Sequence, residues 1–141
     1  MYEDSNEPIH IVAEDTKMNA AEGTATFTGC VIVTQGGLKL EADTVVSRAS
    51  DSGDPESITA TGHPAALELG PTDASPHRRI KGKALKITFE PGKGLCTFEG
   101  SATGYAGDST SRGEKVVLNL ETAAFGTPRA SRTVTMPTTP G

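Results

Sequence analysis

Few side chains in this chain combine a type and a spacing that could do chemistry. Cys30 and Cys96 stand 66 positions apart, without the Cys-x-x-Cys spacing of a zinc site or a redox pair. They read as small buried apolar residues, as free thiols, or as one long-range disulfide. His10, His63 and His77 are scattered, with no carboxylate or cysteine at ligand spacing, so no metal site is expected. Serine, histidine and aspartate all occur, but not as a nucleophile elbow, a phosphate loop or a paired-carboxylate motif. No catalytic residue and no cofactor are expected, and a hydrolase acting on envelope glycans lacks its carboxylate pair. The single basic cluster, His77-Arg78-Arg79-Ile80-Lys81-Gly82-Lys83, fits either a solvated loop or a contact to anionic phosphate. Function must come from the surfaces that the secondary structure builds.

Those elements are strands. With 141 residues the chain holds one core, a single domain over 8–136 between flexible ends at 1–7 and 137–141. A net charge of -5 gives no electrostatic case for nucleic acid, and 4% aromatics with no Trp disfavour a stacking platform. Sixteen Gly and nine Pro are spread as turn punctuation. No apolar run approaches the roughly 20 residues of a membrane helix. The acidic start, Met1 to Pro8, has no apolar stretch of the signal-peptide kind.

Period-two alternation marks Ile9 to Ala13, Ala25 to Thr28 and Val31 to Thr34. After a Gln35-Gly36-Gly37 turn, Leu38, Leu40 and Ala42 fall on one face and Lys39 and Glu41 on the other. Ile58 to Leu69, Leu85 to Phe89, Leu95 to Phe98, Val116 to Leu120 and Arg132 to Met136 read the same way. Met18 to Glu22 is too short for a helix and is read as a turn. Ser50 to Glu56 and Gly70 to Pro76 are loops. The expected fold is all-β: a twisted antiparallel jelly roll or open V-shaped trough of many short strands, with essentially no helix.

Shifting the chain by 71 positions aligns 9–48 with 80–119 without a gap. Nine of those 40 positions are identical, among them Gly23/Gly94, Phe27/Phe98, Gly29/Gly100 and Gly36/Gly107. Chance at average composition gives about two or three. A repeated meander stacked into one layered β-structure is the natural reading.

Pro8-Ile9-His10-Ile11, then Ala25-Thr26-Phe27-Thr28-Gly29-Cys30-Val31-Ile32-Val33-Thr34-Gln35-Gly36, then Leu38 to Val46, carry a resemblance. So do Gly62-His63-Pro64-Ala65, Ile80 to Ala84 and Gly113 to Val117. Together they resemble the LptA/OstA-like superfamily of lipopolysaccharide transport, over 8 to about 136. That superfamily is shared with LptC and the amino-terminal domain of LptD. The absence of an amino-terminal anchor and of a following barrel leads us to expect the periplasmic bridge type, its signal peptide removed. Cys30 departs from the polar residue usual there, and the low aromatic content leaves Phe27, Phe89 and Phe98 as possible aromatic lipid contacts.

The resemblance implies an apolar groove that carries the acyl chains of lipid A. Ile9, Ile11, Leu67 and Phe89 fall in matching motifs and are expected to touch lipid. The alternation adds Leu38, Leu40, Leu69, Ile87, Val116 and Leu118 to the lining. It also implies pairing of the terminal strands with an LptC-like inner-membrane protein, an LptD-like outer-membrane protein and further copies of the chain. The edge residues would be Ile9, His10, Ile11 and Val12 at one end, and Arg132, Val134 and Met136 at the other. From the residues alone, the same apolar set also fits the sealed core of a β-sandwich adaptor.

Overall fold

In the computed structural model, which describes residues 7–70, 79–107 and 109–126, every regular element is a β-strand. In chain order these are β1 (His10–Val12), β2 (Asp15–Asn19), β3 (Thr24–Gln35), β4 (Leu38–Ala49) and β5 (Pro55–Leu69). They continue with β6 (Ile80–Glu90), β7 (Leu95–Ala106), β8 (Ser109–Asn119) and β9 (Ala124–Gly126). All pair antiparallel in one nine-stranded sheet, ordered β1-β3-β4-β5-β6-β7-β8-β9, with β2 also on β3. From β3 to β9 each strand pairs with the one before it, and between β3 and β4 the connection is a tight turn, with only Gly36 and Gly37 separating Gln35 from Leu38.

The expected all-β class holds, but the strands are longer than the alternation alone suggested. Runs read separately, such as Ala25 to Thr28 and Val31 to Thr34, are halves of single strands joined across a bulge. The register breaks between Thr28 and Val31 in β3, Glu41 and Thr44 in β4, Thr61 and Ala65 in β5, Lys83 and Lys86 in β6, and Glu99 and Ala102 in β7. These breaks lie side by side and form a crease across the sheet, dividing it into two leaves. Leaf one holds β1, 31–35, 38–42, 65–69, 80–84, 102–106 and 109–113. Leaf two holds β2, 24–28, 44–49, 55–61, 86–90, 95–99, 115–119 and β9.

The leaves fold onto each other. A methyl group on Gly82, in leaf one, would meet the Phe98 ring of leaf two at 2.5 Å. Phe98 is opposite Ile87, five residues along β6 from Gly82. In a flat sheet those five residues would span about 16 Å. Likewise Gly104 lies under the Phe125 ring. Val33, Leu40, Leu67 and Ile80 of leaf one and Val45, Ile58, Phe89 and Phe98 of leaf two form one buried cluster.

Backbone geometry recurs 71 positions along the chain. Gly29 and Gly100, at φ +85° and +87°, occupy the crease and are followed by Cys30 and Ser101 at +46° and +49°. Glu14 packs against the first glycine and Leu85 against the second. Ala49 donates to the Gly23 carbonyl at 2.9 Å, and Leu120 donates to that of Gly94 at 2.8 Å. β3 and β7 each run 12 residues from equivalent starts. The single strand β6 therefore takes the place of the broken pair β1 and β2.

Four expectations change. Met18 and Asn19 belong to β2 instead of a turn. Leu85 was grouped with the inward alternation of Ile87 and Phe89, but the β6 bulge turns it out to 49% exposure. Cys30, which precedes the bulge end at Val31, is exposed, whereas Cys96 is buried; both are free thiols, so no disulfide joins them. The loop 50–56 narrows to a turn closed by Ser50 donating to the Asp54 carbonyl, and Pro55 already starts β5. The 71–76 part of the second loop and the strand expected at Arg132–Met136 lie outside the described residues, as do 1–6 and 137–141.

Candidate functional site

The interior between the leaves is built from cross-strand rows, because residues opposite each other in an antiparallel pair point to the same face. In leaf one the row runs Ile11, Val33, Leu40, Leu67, Gly82, Gly104. In leaf two it runs Thr16, Phe27, Val45, Ala60, Ile87, Phe98, Val116. A second row in leaf two is Met18, Ala25, Ser47, Ile58, Phe89, Cys96, Leu118, Phe125. Leaf one thus changes along its width from four branched aliphatic side chains to two glycines. Phe98 and Phe125, edge to face with centroids 5.9 Å apart, fill the room that the glycines leave.

The slot is apolar throughout its packed part. Gln35 is the one buried polar side chain among the described residues, and its Nε2 donates to the Glu7 carbonyl at 2.9 Å, tying the segment before β1 to leaf one. Burial, with the Glu90 charge adding to it, pushes the Cys96 thiol far above its ordinary range, so it stays neutral in the slot.

All ten residues expected to line a groove face this interior. Leu38, Leu40, Leu67, Leu69, Ile87, Phe89, Val116 and Leu118 are buried in it, while Ile9 and Ile11 are partly buried against it at the β1 end. Val31, Val45, Ile58, Ile80 and Phe98 belong to the same lining. The alternation marked most of their strands, but the bulges hid which parity faced inward. Gly82, Gly104 and Phe125 were missed because a glycine's role as a seat for a ring shows only once the leaves meet.

Of the expected edge residues, His10 and Val12 point outward from β1, and Val12 is 64% exposed. Arg132, Val134 and Met136 lie outside the described residues. In the basic cluster, Arg79 and Lys81 pair with Glu68 at 4.0 and 3.6 Å on the outer face of leaf one. A shallow depression of about 200 Å³ lies there among Lys39, Glu68, Lys81 and Tyr105, outside the slot. His77 and Arg78 are outside the described residues. His63 Nδ1 lies 3.3 Å from Asp43 on the exposed crease, and no group of three metal-ligating side chains forms among the described residues.

Comparison with known proteins agrees with this geometry. The family described as LptA/(LptD N-terminal domain) LPS transport protein matches residues 10–124. The lipopolysaccharide export system protein LptA of Escherichia coli K12 is 32% identical over 114 residues, 80% of this chain and 60% of that protein. LptH of Pseudomonas aeruginosa is 29% identical over 129 residues, 91% of this chain and 72% of that protein. The crystal structure of LptH, titled as the LptA-homologous periplasmic component of the lipopolysaccharide transport device, superposes with a TM-score of 0.81 at 27% identity. It covers 94% of this chain and 91% of that one. The chain spans about 60% of the length of the Escherichia coli relative.

Proposed function

Because the chain belongs to the LptA/LptD amino-terminal-domain family of lipopolysaccharide-transport proteins, we propose that it is a periplasmic, non-enzymatic carrier that shelters the acyl chains of lipopolysaccharide between its two leaves. The observation that carries this is the interior between the leaves: two apolar faces folded together along one crease, with a single polar side chain buried among the described residues. A hydrocarbon chain in water costs about 0.8 kcal/mol per methylene, so a chain of about a dozen carbons costs roughly 10 kcal/mol. Aliphatic walls offset that cost without demanding one acyl geometry. The leaves are closed on each other here, and a guest displaces side-chain contacts while leaving the strand ladders on both sides of the crease paired.

Ile9, Ile11, Leu38, Leu40, Leu67, Leu69, Ile87, Phe89, Val116 and Leu118 are the proposed acyl contacts. The sheet path ends at β1, which among the described residues pairs on one side only, an edge suited to strand addition. We assign that edge to an LptC-like or LptD-like partner or to another copy of this chain, so that grooves join end to end.

The test is photocrosslinking of purified lipopolysaccharide to the full chain with benzoylphenylalanine at Leu40, against a control at outward-facing Lys39. Labelling at Leu40 over Lys39 is expected. Equal labelling, or labelling of Lys39 alone, would mean that the interior is a sealed core and that the chain is an adaptor.

A further inference from the structure

At the rim away from the crease, the inner face of leaf one ends in Leu38, Leu69 and Ile80, all buried. The next residues along those strands, Lys39, Glu68 and Lys81, form one cross-strand row with Tyr105 on the outer face. One strand residue spans about 3.3 Å, so this charged row stands directly behind the apolar rim. Arg79 and Lys81 share Glu68 at 4.0 and 3.6 Å, and Lys39 meets Glu41 at 3.7 Å. Lys83, one row closer to the crease, is opposite the small side chain of Ala66 and has no anionic partner among the described residues. Around the depression of about 200 Å³, four cations thus meet two carboxylates, in a chain whose net charge is -5. By contrast, the outer row of leaf two from Thr26 through Val46, Thr59, Thr88 and Thr97 to Val117 carries no charge.

We propose that the outer face of leaf one binds the phosphate-bearing sugar head group of the lipopolysaccharide whose acyl chains lie between the leaves. This rests on the lipid-carrying reading above and supplies the polar half of the same ligand. A lipid sheltered by its hydrocarbon keeps its head group in water, and at this rim a phosphate has one strand residue to cross before it reaches Lys81. The guanidinium of Arg79 and the lysine ammonium groups donate to phosphate oxygens, and these charge-assisted bonds are strong ones. Tyr105 adds a phenol donor and a ring against which a sugar can lie. Ion pairs between exposed side chains hold little free energy, so a phosphate can take Arg79 and Lys81 from Glu68. Glu68 is the placeholder that the phosphate displaces.

The test measures binding of the full chain to purified lipopolysaccharide and to the same lipid stripped of its phosphates. Lys81→Gln with Lys83→Gln should weaken binding of the phosphorylated form several-fold and leave the stripped form unchanged. Glu68→Gln should tighten binding of the phosphorylated form, because it frees two cations. Lys86→Gln with Lys115→Gln removes the same charge from either side of Glu99 on leaf two and should change neither. Equal effects on both lipids, equal loss from the two double variants, or no tightening in Glu68→Gln overturns the proposal. Inorganic phosphate alone, titrated calorimetrically, should give no saturable heat; saturable heat that the Lys81→Gln, Lys83→Gln chain loses would assign the face to free phosphate instead. Labelling of the stripped lipid from Leu40 keeps the carrier reading even where this site fails, whereas no labelling of either lipid removes both.

Discussion

Gly82 lies beneath the ring of Phe98 so closely that a single added methyl would stand 2.5 Å from its Cε2 atom. Gly82→Ala is therefore expected to destabilise the fold by about 1–3 kcal/mol, the usual cost of overpacking a core. Adding Phe98→Leu should recover part of that loss, because the smaller side chain returns room to the methyl. Urea unfolding of the two single variants and the double variant checks this; strictly additive losses would mean that the two residues do not meet.

The crease depends on backbone geometry that side chains resist. Gly100 has φ +87°, and a Cβ there would come within 3.0 Å of the Leu85 Cβ. Gly100→Ala should cost about 1–2 kcal/mol from the left-handed backbone alone, with the contact adding to it. Leu85→Ala in that background removes the Cγ and Cδ1 neighbours at 3.2 and 3.1 Å but keeps the Cβ and the backbone strain, so thermal denaturation should show partial rescue only.

The two thiols should behave oppositely. Cys30 is exposed and Cys96 buried, so a thiol reagent should modify one site in the native protein and a second only on unfolding. The folded Cys96 pKa is raised above its ordinary value of 9.0, first by burial and then by Glu90. Its contribution to stability is accordingly full below that value and is lost as pH rises above it, because the unfolded thiol ionises first. The unfolding free energy from urea titrations should fall more steeply above about pH 9 in the wild type than in Cys96→Val, by up to about 1.4 kcal/mol per pH unit.

Val12 is exposed on β1, at the end of the sheet path. Val12→Asp should leave unfolding within about 0.5 kcal/mol of the wild type, as for most surface changes. If β1 is the edge that neighbours add to, the same change should weaken self-association in sedimentation velocity, since an edge charge blocks strand addition. Unchanged association would place the contact elsewhere.

The sequence made the strands legible wherever one leaf alternated cleanly: Leu38, Leu40 and Ala42 against Lys39 and Glu41 needed no structure to be assigned to faces. It concealed the continuity of those strands, because a bulge inverts the alternation in mid-strand. Ala84 is buried, Leu85 exposed and Ile87 buried, a pattern that fits neither period two nor a turn. Thr16 and Met18 were lost for a related reason: in a strand exposed on both faces, no contrast between neighbours remains to be read. The apolar lining was predictable as a set, whereas its asymmetry was not. Whether a glycine is a turn, a crease or a seat for a ring depends on residues brought to it from the opposite leaf.

The order of strands carries a last implication, for how the molecule comes into being. From β3 onward, each strand needs only its immediate predecessor as a template, so few long loops must close before a ladder begins to form, which favours rapid folding. Such a chain can assemble hairpin by hairpin as it emerges during synthesis. It can also gain or lose a strand at the growing end without being rethreaded, which is how a protein of this plan could change its reach in evolution without inventing a new fold.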